Sequence, residues 1–272
     1  MHMASFTFGS LLVLAALSSA CTLNTTTNPD GSVTVTGKAK TRFVLDQKPT
    51  RESAPYTGQP IIIENDGVNP SLGEGVVVRG DANAAKVTAT SDIVAYADDA
   101  ERDNANKALR EAADSFKITD EGGAIVVRCK HSSQNYGTAS QAGTGCQNLV
   151  ITVPSGTTSK PVSVSAKTGV GSVKVSGIVG SVTAEAQGAG DVDVSVSPTQ
   201  GSTVDVRSQF DATLRLPASF AADRIILVGS KIDAGAFPGL KSGEGFGAAG
   251  TGAKLITVTA DKDIGDVVLA RQ

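Results

Sequence analysis

The chain has 272 residues, 24 basic against 27 acidic side chains for a formal net charge of −3, 40% hydrophobic residues, 4% aromatics and no Trp. Balanced charge without a Lys/Arg cluster speaks against nucleic-acid binding, and so few aromatics leave little on which bases or sugars could stack. The 30 glycines beside abundant Val, Ser and Thr favour strands and turns, with enough apolar residues for a core.

Residues 1–20, "MHMASFTFGSLLVLAALSSA", carry an apolar run over 6–17 that is shorter than the about 20 residues a membrane span needs and suits a signal-peptide h-region. Cys21 follows at once in "LSSAC", which resembles the lipobox of bacterial lipoproteins. Two positions depart from that pattern: Ser18 stands where the lipobox has Leu, and the first residues include no Lys or Arg. The resemblance implies a lipid on Cys21, attachment to a membrane through it and, from Thr22 in place of Asp, the outer membrane. Ser18-Ser19-Ala20 also suits ordinary cleavage, giving a secreted form, and an uncleaved anchor is a third reading. Residues 21–32 read as a polar tether and 33–272 as one domain.

Segments 32–37, 60–65, 75–80 and 86–97 are β-branched runs bounded by Gly, Pro or Asn and are predicted as strands. Residues 98–118 instead place Ala100, Ala108, Leu109, Ala112, Ala113 and Phe116 at helical spacing, with Asp98 or Asp99 as cap, and are predicted as one inserted surface helix. Strands at 124–130 and 148–154 flank a loop without periodicity and could lie side by side. Cys129 and Cys146 bound that loop. With Cys21 set aside they are the remaining two of three Cys, and an exported chain would join them in a disulfide worth about 3 kcal/mol in the loop-entropy model. A zinc site would need more than Cys129, His131 and Cys146.

From residue 160 the sequence becomes periodic. Gly171-Ser-Val-Lys-Val, Gly180-Ser-Val-Thr-Ala and Gly190-Asp-Val-Asp-Val share one template, and Gly169-x-Gly171 recurs 19 positions later as Gly188-x-Gly190. Period two puts Val173, Val175, Val182, Ala184, Val192, Val194 and Val196 on one face and Ser172, Lys174, Thr183, Glu185, Asp191, Asp193 and Ser195 on the other. An apolar face on each short rung is buried by stacking rungs, which predicts a mainly β solenoid. The alternative is a β-sandwich.

These rungs, with the "LVITVP" block and the closing "IGDVVLARQ", resemble the bacterial adhesin-like families of the DUF4097 type and the head GIN domain, over roughly 60–270 (clearest at 148–207 and 261–272). The resemblance implies a right-handed single-stranded β-helix and carries no catalytic residues with it.

Three other motifs fail on context. "GFGAAG" at 245–250 spells a dinucleotide fingerprint, but a Pro/Gly loop precedes it and a strand follows, so it reads as a flexible loop; the same stretch misses a P-loop at Ala253. "GAGDVDVSV" misses the calcium nonapeptide because Val192 takes the essential Asp position. His131 is the one His of the two that lies outside the leader, which leaves little for acid–base catalysis. No catalytic residue, metal or cofactor is assigned. The reading is a non-enzymatic cell-envelope lipoprotein whose outward residues Lys174, Glu185, Asp191 and Asp193 offer surface contacts to an unidentified envelope, matrix or protein partner. The alternatives are a carbohydrate-active β-helix enzyme, with Asp191 and Asp193 as its acids, and a scaffold that self-associates through exposed ends.

Overall fold

The computed structural model of the protein describes residues 21–27, 33–66, 74–137, 143–220, 224–237, 239–240, 242–250 and 255–272. Residues 1–20, expected as a signal peptide, lie outside them. The described chain is mainly β, and none of its helices is long and apolar enough to cross a membrane.

The template residues stack in two parallel ladders. The first runs β9 (Ala124–Cys129), β5 (Ile61–Asn65), β11 (Val162–Thr168), the second half of β12 (Ser172–Ala186), β14 (Val204–Arg207), β18 (Leu255–Thr259) and the first half of β16 (Arg224–Asp233). Ile125, Ile61, Val164, Val182, Val204, Ile256 and Ile225 are in register across it, all buried. The second runs β10 (Thr144–Pro154), β6 (Glu74–Asp81), the first half of β12, β13 (Val192–Ser197), β15 (Ala212–Leu216), β19 (Asp266–Arg271) and the second half of β16. Its matching row is Leu149, Val76, Val173, Val192, Ala212, Val267 and Ile232. The inward rows share one continuous core. Each buried Val contributes about 1.5–3 kcal/mol, so small side chains repeated in register replace the aromatics this chain lacks. Strands of the alternative sandwich would pair antiparallel; these pair in parallel.

Each tier gives one strand to each ladder. The roughly ten-residue sequence repeat is therefore half a tier, and register partners such as Val173 and Val192 stand 19 positions apart. Corners bring backbones into contact. A Cβ on Gly190 would lie 2.2 Å from the carbonyl oxygen of Gly171, and one on Gly80 2.0 Å from that of Gly177, so neither position accepts a side chain without movement.

The tiers do not stack in chain order, as they would in a continuously wound β-helix. β9 and β10 lie outside β5 and β6, and β16 lies outside β18 and β19. The two strands flanking the cysteine loop, expected side by side, fall instead in different ladders of one tier.

At this first end, antiparallel strands extend both ladders. β8 (Lys117–Glu121) pairs with β9; β7 (Lys86–Ala97) pairs with β10 and in turn with β3 (Thr41–Val44) and β4 (Thr50–Pro55). The helix α1 (Arg102–Ser115), preceded by a 3₁₀ turn at Asp99–Glu101, packs on β3, β7, β9 and β10. It is shorter than the 98–118 expected, because Lys117 and Ile118 join β8, and Ala105 replaces the exposed Ala100 on its buried face. Neither Asp98 nor Glu101 caps it with a side chain. At the other end β17 (Gly243–Ala249) pairs antiparallel along β16. This strand occupies most of the "GFGAAG" stretch expected as a flexible loop. Within the stretch expected as a tether, β1 (Cys21–Thr27) pairs antiparallel with β2 (Val33–Ala39) in a separate two-stranded sheet.

Candidate functional site

The four outward residues singled out by periodicity do not form one row. Lys174 and Asp193 are register partners in the second ladder. Glu185 lies in the first, because the corner at 177–180 carries the second half of β12 there. Asp191 sits at a corner of the second ladder. Its N–H donates to Ser172 Oγ at 3.3 Å, and its Oδ1 accepts the N–H of Asp211 at 3.2 Å; Asp211 Oδ1 in turn accepts the N–H of Asp266 at 2.9 Å. Ser172, Asp191, Asp211 and Asp266 each precede the inward residue of four successive tiers. In the first ladder Thr203 N–H donates to Ser181 Oγ at 3.1 Å in the same way. The polar residue after each template glycine therefore links tiers through backbone N–H groups. This explains its small size and acceptor character.

The first ladder carries a row that the pattern of one strand does not reveal. Arg128, Glu64, Lys167, Glu185 and Arg207 are neighbours across five tiers, alternating in sign. Arg128 Nε donates to Glu64 at 2.8 Å, and Lys167 Nζ stands 4.0 Å from Glu185. Arg128 also donates to Glu121 at 2.8 Å; that bond first, and the Thr119 hydroxyl second, holds the Glu121 carboxyl below its ordinary range. Arg207 pairs with Asp205 at 2.6 Å, which raises the guanidinium's already high pKa. Opposite charges on facing cross-strand positions attract, and like charges would repel. The signal was available once tiers are aligned: the last outward position of "IIIEN", "SVSAKT", "VTAEA" and "VDVR" is charged in each.

On the second ladder Asp193 is bonded by Arg215, leaving Lys174 as an exposed cation beside the pair. Surface pairs of this kind contribute little to stability, about 0–1 kcal/mol each, so their charges remain available for contacts.

Cys129 and Cys146 form a disulfide with Cα atoms 6.1 Å apart, both side chains buried, joining the two ladders of the first tier. The loop it closes is tied to α1. Glu111 accepts bonds from the Ser132 and Ser133 hydroxyls and from the Ser133 N–H, and these hydroxyl bonds pull its pKa down to about 2. His131 Nδ1 stands 3.3 Å from the Asp66 carbonyl oxygen. Among the described residues no three His, Cys, Asp or Glu side chains gather as a metal site.

No known protein family matches the sequence, and no curated protein matches it either. Among solved structures the chain is similar to a putative cell adhesion protein from Clostridium sporogenes, at 13% identity and a TM-score of 0.50. The similarity covers 83% of this chain and all of the other. At that identity the likeness concerns the fold.

Proposed function

We propose that this is an exported, non-enzymatic, adhesin-like protein. In this reading it is a β-solenoid with modified ends, anchored in the cell envelope by a lipid on Cys21, and it meets an envelope or matrix partner through the outward faces of its two ladders. The observation that carries the reading is the division of labour in every middle tier. The inward positions are almost all aliphatic, the corner positions hold the tiers together, and the charged outward positions of Lys167, Lys174, Glu185, Asp193, Arg207 and Arg215 are left at the surface. Such a surface offers many weak polar contacts along a rigid face. The fold shared with the Clostridium sporogenes protein supports the adhesive reading, and the leader followed by Cys21 supports the anchor.

Two measurements test it. Radiolabelled palmitate should enter the wild type and not Cys21→Ala; incorporation in neither sinks the anchor. Envelope fragments from the source cells should be retained by the immobilised wild type and several-fold less by a variant with Lys174, Glu185, Asp193 and Arg215 all changed to Ala. Equal retention by both sinks the contact face.

A further inference from the structure

The alternating row of the first ladder changes character where the stack ends. Past Arg207 the next tiers place Thr259 and then Val228 in the same row, and β17 adds Phe246 opposite Val228. The neighbouring outward row runs Asp205, Thr257, Ile226 and Ala248. Both rows thus turn from charged to apolar at the terminal strand, and Phe246 is 56% exposed.

Among the described residues β17 pairs with β16 alone, and its other edge meets no described strand. Natural sheets guard such edges with charges, Pro, short strands or a covering helix. The first end has these guards: Lys117, Asp120 and Glu121 on β8, and Arg51, Glu52 and Pro55 on β4. β17, "GEGFGAA", has one charge, Glu244.

We propose that β17 is a homodimer edge, pairing antiparallel with β17 of a second copy so that the two stacks join end to end. The strand is self-complementary. A two-fold axis near Phe246 brings the two Phe246 rings together over the apolar strip of Val228, Ile226 and Ala248. It also sets each Glu244 against a small residue and away from the other Glu244. Backbone pairing supplies affinity and the shared aromatic contact supplies register. The inference rests on the terminal edge alone and is independent of the adhesive reading.

The test uses the full chain, solubilised in a mild detergent, in sedimentation velocity. Wild type should show a concentration-dependent dimer, and Phe246→Lys should weaken it at least about tenfold, because central aromatic contacts dominate such interfaces. Circular dichroism should stay unchanged, since Phe246 is outside the core. A short bifunctional thiol reagent should join two copies of Phe246→Cys and not two copies of Thr119→Cys on the guarded edge, each with Cys21→Ser. A wild type that is monomeric at every concentration overturns the proposal. So does a dimer indifferent to Phe246→Lys, or equal cross-linking of the two cysteine variants.

Discussion

The middle tiers and the first end of this molecule are built by different means. From β11 to β15 each tier follows the last in sequence, and its core is mostly Val, Ala and Leu in register. At the first end the tiers are out of chain order, and the fold draws on a disulfide, a helix, antiparallel strands and the buried Phe116. Where neighbours in space are neighbours in sequence, small repeated contacts suffice. Where the chain must jump, closing a longer loop costs entropy that specific fastenings offset.

The contrast can be broken at its strongest point first. Leu214 is fully buried in the middle of the second ladder, and Leu214→Ala should cost about 2–5 kcal/mol. Denaturant unfolding should show the loss, with protection from hydrogen exchange falling across several tiers rather than in β15 alone. Next, the pair Cys129→Ala/Cys146→Ala should cost about 2–4 kcal/mol, with the loss concentrated in α1 and β7–β10 and the tiers from 162 to 216 little changed in hydrogen exchange. A uniform loss would mean that the two regions unfold as one unit.

Smaller effects sharpen the comparison. Glu185→Lys would place three cations in a row with Lys167 and Arg207. It should destabilise by up to about 1 kcal/mol at low salt and less at high salt, read from melting temperatures. Glu111 gives a pH signature to the first end alone. Its folded pKa, near 2, lies below the unbonded value of 4.5, so its contribution is fully present above pH 4.5 and is lost as pH falls toward 2. The stability gap between wild type and Glu111→Gln should therefore be widest above pH 4.5 and shrink in acid.

The same contrast explains what was legible in the sequence. The inward face of the middle was readable because alternation is local: Val173, Val175, Val182, Ala184, Val192, Val194 and Val196 are all buried. The pairing of Cys129 with Cys146 could be reasoned from cysteine number and the expected export. The placement of β9 and β10 outside β5 and β6 could not, because no residue in those strands encodes which neighbour it meets. For the same reason Lys174, Glu185, Asp191 and Asp193 looked like one row. A corner of a few residues moves Glu185 to the other ladder, and the charged row through Arg128, Glu64, Lys167 and Arg207 exists only once tiers from distant parts of the chain are aligned. The strand over Gly243–Ala249 escaped because its glycines carry no strand signal of their own; β16 supplies the template.

The stacking order is the central claim, and spin-label distances test it most directly. Thr152 in β10 and Asp233 in β16 lie in the two outermost tiers, whereas Arg79 in β6 and Val268 in β19 lie one tier further in at each end. With strands about 4.8 Å apart, labels at Thr152 and Asp233 should be separated by about 30 Å and labels at Arg79 and Val268 by about 20 Å, with Cys21 changed to Ser in both. A chain stacked in sequence order would reverse the two distances, and that result would contradict the account.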